Sequence, residues 1–461
     1  MKKKILSVLL AFALLIILPA CGGPADEPPT TESTSIPNFS AQADKTMGRF
    51  HTDAILAETV LTDEGGVKIT ATGLTYTEYS VDLDLTIENN SGKDLSFVSG
   101  SLGYNCNSIN GYMIDGGYLN CDVANGKKAN ASICFHYDAL MLYGIDEIAD
   151  MEIGVSMTDD DYNITYTGPC QLKTSVAESH DYGTDHYQNT ITSDAAMNTY
   201  GYEMVHFSQG ALYDKNGVKL LSSGIMTNRE GETALLLEFE NTTGSVVYLS
   251  TSDIAINGLL VNSSTWSSNA INPGRRCIVD VDLSDVLASP YWNVYGITQV
   301  GAVSLSLEQC NADGMEIAAE TPVEIVVPDV KASFDETGTE VYNSNGLEIM
   351  FKDIVKGPSD YSSDLHVLLL AENNSGETLT IHDVYNSLSV NGFMTDYSYY
   401  GQELEDGQSA VIEIKLRESS LADNQISSAS DIREIEFGLE IVEGYTAIDE
   451  PTLTLILGES A

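Results

Sequence analysis

Apolar and polar residues alternate strictly along Val81-Asp82-Leu83-Asp84-Leu85-Thr86-Ile87. An extended segment with this pattern turns one face to a core and the other to water. Similar runs recur at Leu235 to Phe239, at Val367 to Ala371, and at Met151-Ile153-Val155, Val303-Leu305-Leu307 and Ile435-Phe437-Leu439. Strands that are wet on one side are typical of antiparallel sheets. A single sheet would leave its apolar face exposed. Seven or eight such strands in roughly 120 residues, parted by Asn-Gly and Ser-Gly turns, therefore predict two sheets packed face to face. Helix is a minor component, with one turn expected in each of the looser stretches 138–148, 284–299 and 418–432.

The pattern repeats three times in register. A turn and strand read Asp63-Glu64-Gly65-Gly66-Val67-Lys68-Ile69, then Asp214-Lys215-Asn216-Gly217-Val218-Lys219-Leu220, then Asn343-Ser344-Asn345-Gly346-Leu347-Glu348-Ile349. The alternating strand of each copy ends in Glu88-Asn89-Asn90-Ser91-Gly92, Glu240-Asn241-Thr242-Thr243-Gly244 or Glu372-Asn373-Asn374-Ser375-Gly376. A second signpost follows: Ile109-Asn110-Gly111-Tyr112, Ile256-Asn257-Gly258-Leu259 and Val390-Asn391-Gly392-Phe393. Gly126, Gly274 or Gly407 then opens another strand, and a proline-led strand at Pro169, Pro322 or Pro451 closes the copy. Landmarks that recur in one order mark repeated structural units. They predict sandwich repeats over 58–175, 203–330 and 338–461, joined by linkers at 176–202 and 331–337.

Ahead of the repeats, Met1-Lys2-Lys3-Lys4 precedes an apolar run from Ile5 to Leu18. A basic head and a short apolar stretch read as a signal peptide, too short to read comfortably as a spanning helix. Leu18-Pro19-Ala20-Cys21, followed by Gly22-Gly23, resembles the lipobox of bacterial lipoproteins, with Pro19 where Ala, Ser or Thr is commoner. The resemblance implies removal of residues 1–20 and acylation of Cys21, with the protein anchored by lipid on the outer face of the cell membrane. Residues 21–57 are rich in Pro, Thr, Ser and acids, and read as a lipidated cysteine with a disordered tether. The repeats themselves resemble the immunoglobulin-like repeats of surface lipoproteins from Gram-positive, clostridial-type bacteria, in their strand-ending Asn-x-Ser/Thr-Gly turns and Asn-Gly signposts. That resemblance implies an all-β chain of three tandem immunoglobulin-like sandwiches, and a family largely without assigned activity.

Charge then narrows the company this chain keeps. The sequence has 21 Lys+Arg against 68 Asp+Glu, a formal net charge of −47. Nucleic acid and anionic lipid would be repelled, so no nucleic-acid partner is expected. Six cysteines besides Cys21 (Cys106, Cys121, Cys134, Cys170, Cys277 and Cys310) are an even set that suggests disulfides in an exported protein. Cys277 pairs with Cys310 if bridges stay within a repeat, and the first repeat leaves three pairings open.

Catalytic signatures are missing from the sequence: there is no Gly-x-Ser-x-Gly, no phosphate-binding Gly-rich loop and no His-Glu-x-x-His. No cofactor is expected. Two clusters have metal-ligand chemistry. His180, Asp181, Asp185 and His186 would suit zinc or a transition metal, although the stretch reads first as a polar, mobile linker. Asp159, Asp160 and Asp161 would offer oxygen ligands, although they read first as a hairpin tip. Trp266, Tyr397, Tyr399 and Tyr400 are candidate rings for a sugar face or a protein contact, against the commoner reading that they pack in the core. The expectation is a non-enzymatic, membrane-anchored extracellular lipoprotein that binds a cell-wall, glycan, peptide or envelope-protein partner or acts as a spacer. The alternatives are a solute- or metal-binding lipoprotein serving a transporter, or an unrecognised enzyme.

Overall fold

A computed structural model describes residues 47–99, 107–114, 116–210, 212–261, 267–283, 293–311, 314–357 and 363–457. Cys21, Cys106 and Trp266 lie outside the described residues. The fold is all-β, built from β-sandwiches with a few short helices. The described chain gathers into two compact units. Of the described residues, those within 47–207, 224–230 and 270–280 form unit one, and those within 208–223, 231–269 and 281–457 form unit two.

In unit one, alternation sets the first sheet. Val81, Leu83, Leu85 and Ile87 are fully buried along the Ser80–Asn89 strand, while the residues between them are partly wet. Each buried aliphatic side chain contributes roughly 1.5–3 kcal/mol. This strand lies between Val67–Tyr76 and Lys127–His136, with Thr59–Glu64 beyond, in a four-stranded antiparallel sheet. Against it pack Leu95–Ser99, Leu119–Val123, Asp150–Asp159 and Ile164–Lys173, which carry Phe97, Ile153 and Val155 inward.

Unit two repeats the arrangement. Thr339–Ser344, Leu347–Lys356, Leu365–Asn373 and Ser409–Leu416 form one sheet, and Leu379–Asp383, Gln402–Leu404 and Glu434–Glu443 carry the other. Leu369, Ile412, Phe437, Leu439 and Ile441 meet between them. Val247–Ile256, Ala302–Cys310 and Glu316–Val326 form a further antiparallel set.

Two devices explain why the landmarks recur. Gly66, Gly217 and Gly346 sit at φ +80°, +79° and +78°, and a Cβ there would press on the Asn90, Thr243 or Ser375 turn at 2.5–2.7 Å. Only glycine fits a left-handed turn so close to the neighbouring turn, whose nearest atom is backbone at Gly66 and Gly346 and the Thr243 methyl at Gly217. The second device is the asparagine that ends the alternating strand. Asn89, Asn241 and Asn373 are completely buried. Asn89 Nδ2 donates to Lys93 O (2.8 Å) and Val123 O (2.7 Å), and its Oδ1 accepts from Ser91 N (3.0 Å) and Ser91 Oγ (2.7 Å). Asn373 bonds in the same way to Glu377 O, Leu404 O and Ser375 N, and Asn241 to Ser245 O and to Thr243 N and Oγ1. The side chain thus ties the strand end to its turn and, in the first and third copies, to a strand of the facing sheet.

The stretch 176–202 is ordered, contrary to the mobile linker expected from its polarity. His186–Ile191 and Asp194–Tyr200 are helices capped by the Asp185 and Ser193 side chains, and Tyr187, Ile191, Ala196 and Tyr200 are buried. Two N-caps seven residues or so apart, each ahead of apolar residues at helical spacing, supply the missing signal.

No disulfide joins the described cysteines. Cys170 Sγ instead donates to Leu61 O (3.2 Å) and Cys310 Sγ to the Glu308 carboxylate (3.5 Å). Cys134 lies opposite Asp82, and Cys121 opposite Phe97. The expected Cys277–Cys310 bridge is not formed.

Candidate functional site

The Asn-Gly signposts build the same local platform in each copy. Asn110, Asn257 and Asn391 adopt φ of +48°, +54° and +51°, and their side chains tie the turn to the loop that enters the closing strand. Asn110 Nδ2 donates to Glu147 O while Oδ1 accepts from Ala149 N (2.8 Å). Asn257 makes these bonds to Gln299 O and Gly301 N, and Asn391 to Asp431 O and Arg433 N. The turn is therefore held rigidly, and so is the short strand that leaves it.

Twice, that short strand is covered by a parallel one. In unit one Tyr112 pairs with Arg276, and in unit two Leu259 pairs with Ser409 and Leu260 with Ala410. Tyr112 and Leu259 each follow the signpost glycine directly, and Arg276 and Ser409 each stand two places after the strand-opening Gly274 or Gly407. One register is used both times.

The unit-one pairing is polar. Arg276 N donates to Gly111 O (2.8 Å), and its guanidinium lies 5.8 Å from the Tyr112 ring centroid while donating to Asp185 Oδ2 (2.6 Å). Arg275 donates to Glu152 Oε1 (2.7 Å), whose other oxygen accepts from Ser108 Oγ (3.2 Å). The unit-two pairing is apolar: Leu259 packs with Tyr295, Ile297, Leu368 and Leu370. Burial pushes the Tyr295 hydroxyl well above the usual phenol range, and it donates to Leu369 O (2.9 Å).

The third copy presents the same strand bare. Phe393 and Met394 are 54% and 61% exposed, against 5% and 2% for Tyr112 and Leu259. Phe393–Met394 pairs on one side with Ser389–Val390. Among the described residues no strand covers its other side. Beside it opens a polar groove of about 470 Å³ lined by Asn391, Gln425, Ser430, Asp431, Arg433 and Glu434. Ser389 Oγ donates to Glu436 Oε2 (3.3 Å), repeating the Ser108–Glu152 contact. The exposed Glu436 has no basic partner among the described residues.

The residues singled out from sequence fall elsewhere. His180 and His186 rings stack at 5.5 Å, but His180 Nδ1 faces Glu147 (3.4 Å) and His186 Nε2 donates to Asp181 O (2.8 Å). Asp181 is spent on Gly183 N and Thr184 Oγ1, and Asp185 on the helix cap and Arg276. Asp159 is ion-paired with Lys93 and accepts from Asp161 N and Asn163, so its carboxyl is held far below the ordinary range by the Lys93 hydrogen bond first and Asn163 next. Asp160 and Asp161 are exposed at the hairpin tip. No group of three or more His, Cys, Asp or Glu converges on one metal position among the described residues.

Tyr397 and Tyr399 prove to be packing residues rather than free rings. Both sit edge-on to Phe437, and their hydroxyls donate to Asp383 Oδ2 (2.6 Å) and Ile381 O (2.9 Å). Tyr400 is exposed.

No family model and no curated protein matches the chain. Among solved structures it is similar to part of a 1.5-MDa bacterial ice-binding adhesin, at TM-score 0.15 and 12% identity over 81% of this chain and 90% of that one. It is also similar to the central fibronectin-III array of RIM-binding protein, at TM-score 0.16 and 8% identity over 90% and 100%. A third is the YadV chaperone, at 0.15 and 10% over 48% and 92%.

Proposed function

We propose that this chain is a non-enzymatic surface protein, tethered to the outer face of a membrane by lipid on Cys21, whose sandwiches carry a strand-docking edge for a protein partner. The observation behind this reading is the bare Phe393–Met394 strand, at a position covered by a parallel strand in both other copies. An exposed apolar edge strand is a template for pairing with another chain, and proteins that keep one commonly use it. A glycan or metal role has less support, because Tyr397, Tyr399, Asp159, Asp181 and Asp185 are occupied by internal partners.

Two measurements on the producing cell test this. Cys21→Ala is expected to move the protein from the membrane fraction to the medium, and retention in the membrane would refute the lipid tether. A photo-crosslinking p-benzoylphenylalanine in place of Phe393 is expected to give a discrete protein adduct, with none from the same probe at Tyr162 on the first copy's hairpin tip. Absence of any adduct at position 393 would refute the docking edge.

A further inference from the structure

Charges at the covered strands match the strands that cover them. In the unit-one pairing the platform offers Glu152 and the covering strand opens Gly274-Arg275-Arg276. In the unit-two pairing the residue equivalent to Glu152 is Ser304, and the covering strand opens Gly407-Gln408-Ser409, without charge on either side. One platform and one covering strand are left over. The platform is Phe393–Met394 with Glu436, acidic like the first. The strand is Gly126-Lys127-Lys128-Ala129, basic like the one that meets Glu152.

That leftover strand is also an open edge. Lys127–His136 ends its sheet, paired on one side with Ser80–Asn89 and with no strand on the other among the described residues. Lys127 and Lys128 are exposed, and the Lys128 ammonium pairs with Glu88 (2.8 Å). In a chain with 21 basic residues against 68 acidic ones, adjacent basic pairs are scarce, and two of them open strands of this kind.

We infer that the partner for the Phe393–Met394 edge is a second copy of this chain, whose Lys127–Ala129 strand pairs parallel with it and joins molecules head to tail. This rests on the docking-edge reading above. The register carried over from the two internal pairings sets Phe393 opposite Lys128 and Met394 opposite Ala129. Lys128 then lies over the Phe393 ring as Arg276 lies over Tyr112, and Lys127 reaches Glu436 as Arg275 reaches Glu152. The contact joins two different surfaces, so each bound copy leaves one edge of each kind free for a further copy.

Sedimentation of the soluble body, residues 22–461, tests this. Wild type at about 100 µM is expected to form a ladder beyond the dimer, since a micromolar contact is saturated there. Lys127→Glu, Glu436→Lys and Phe393→Asp are each expected to leave a monomer, with unchanged melting because every altered side chain is exposed. Combining Lys127→Glu with Glu436→Lys in one chain is expected to restore the ladder, which a merely structural effect would not do. A wild type that stays monomeric, or a ladder that survives these substitutions, overturns the self-pairing. If the position-393 probe meanwhile captures a different protein on cells, the docking edge stands and only the identity of its partner falls.

Discussion

Removing the Asn89 side chain measures how much of a sandwich depends on its buried tie. Asn89 is completely buried and makes four hydrogen bonds, two donated and two accepted, which is close to all an amide can make. Each is worth about 1 kcal/mol net, and Asn89→Ala also removes the buried donor to Val123 O. The loss should be about 4 kcal/mol, a large part of the roughly 5–15 kcal/mol that holds a domain together. Asn89→Asp keeps the acceptor side but turns an anion toward two carbonyl oxygens. Its carboxyl should therefore titrate above the ordinary value, and a group raised in the folded state costs stability as pH climbs past its unfolded pKa of about 3.9. This variant should thus be closest to wild type near pH 3–4 and furthest from it at pH 7, within the range where the native fold is stable.

The assay is urea unfolding followed by intrinsic fluorescence and circular dichroism at several pH values, with each transition fitted separately. Asn90→Ala serves as control, being the adjacent exposed residue, with an expected change within about 0.5 kcal/mol. An Asn89→Ala loss below about 1 kcal/mol would refute the argument, because it would mean the turn and the facing strand hold without the side chain.

Three further outcomes follow from the same geometry. Gly346→Ala should cost clearly more than Gly376→Ala by urea midpoint: both sit at positive φ, but only Gly346 would set a Cβ 2.5 Å from the Ser375 Cα, so Gly376→Ala costs about 1 kcal/mol and equal losses would refute the contact. Asp159, held low by Lys93, contributes stability that is present above about pH 3.9 and lost as pH falls toward its folded value, so the gap between wild type and Asp159→Asn should shrink on acidification. A gap that stays constant from pH 7 to the acid limit would refute it. Tyr399→Phe should cost about 1 kcal/mol for the bond to Ile381 O and Tyr399→Ala about 3 kcal/mol or more for the lost packing on Phe437, and a silent Ala variant would show the ring is not part of the core.

Much of the fold was legible because its signals are local. Alternation from Val81 to Ile87 shows which face is buried, and Asn-Gly or Ser-Gly dipeptides mark turns by backbone chemistry alone. The strand-ending asparagines were visible as turn residues, but their role as buried ties was not, since it depends on Val123 O and Leu404 O, about thirty residues away in sequence. The helices of 176–202 were missed because a polar composition outweighed the caps at Asp185 and Ser193. The docking edge was missed for a similar reason. Pairing of Tyr112 with Arg276 joins residues in different repeats, and nothing local announces it. The signal that would have found it is comparative: the residues after Gly126, Gly274 and Gly407 read Lys-Lys, Arg-Arg and Gln-Ser, in a chain where basic residues are rare.

That rarity also bears on how such a chain meets its own kind. A chain with a net charge of −47 repels another copy over most of its surface, so close contact is opposed by the summed field. Attraction is left only where a local patch reverses the sign, and it acts at short range once salt screens the rest within about 8–10 Å. Lys127 and Lys128 form such a patch at one free strand edge, and Glu436 with the acidic rim of Asp431 and Glu434 forms its counterpart at another. Under this charge distribution the approach left open is through these two edges, whose pairing geometry the chain already uses twice within itself.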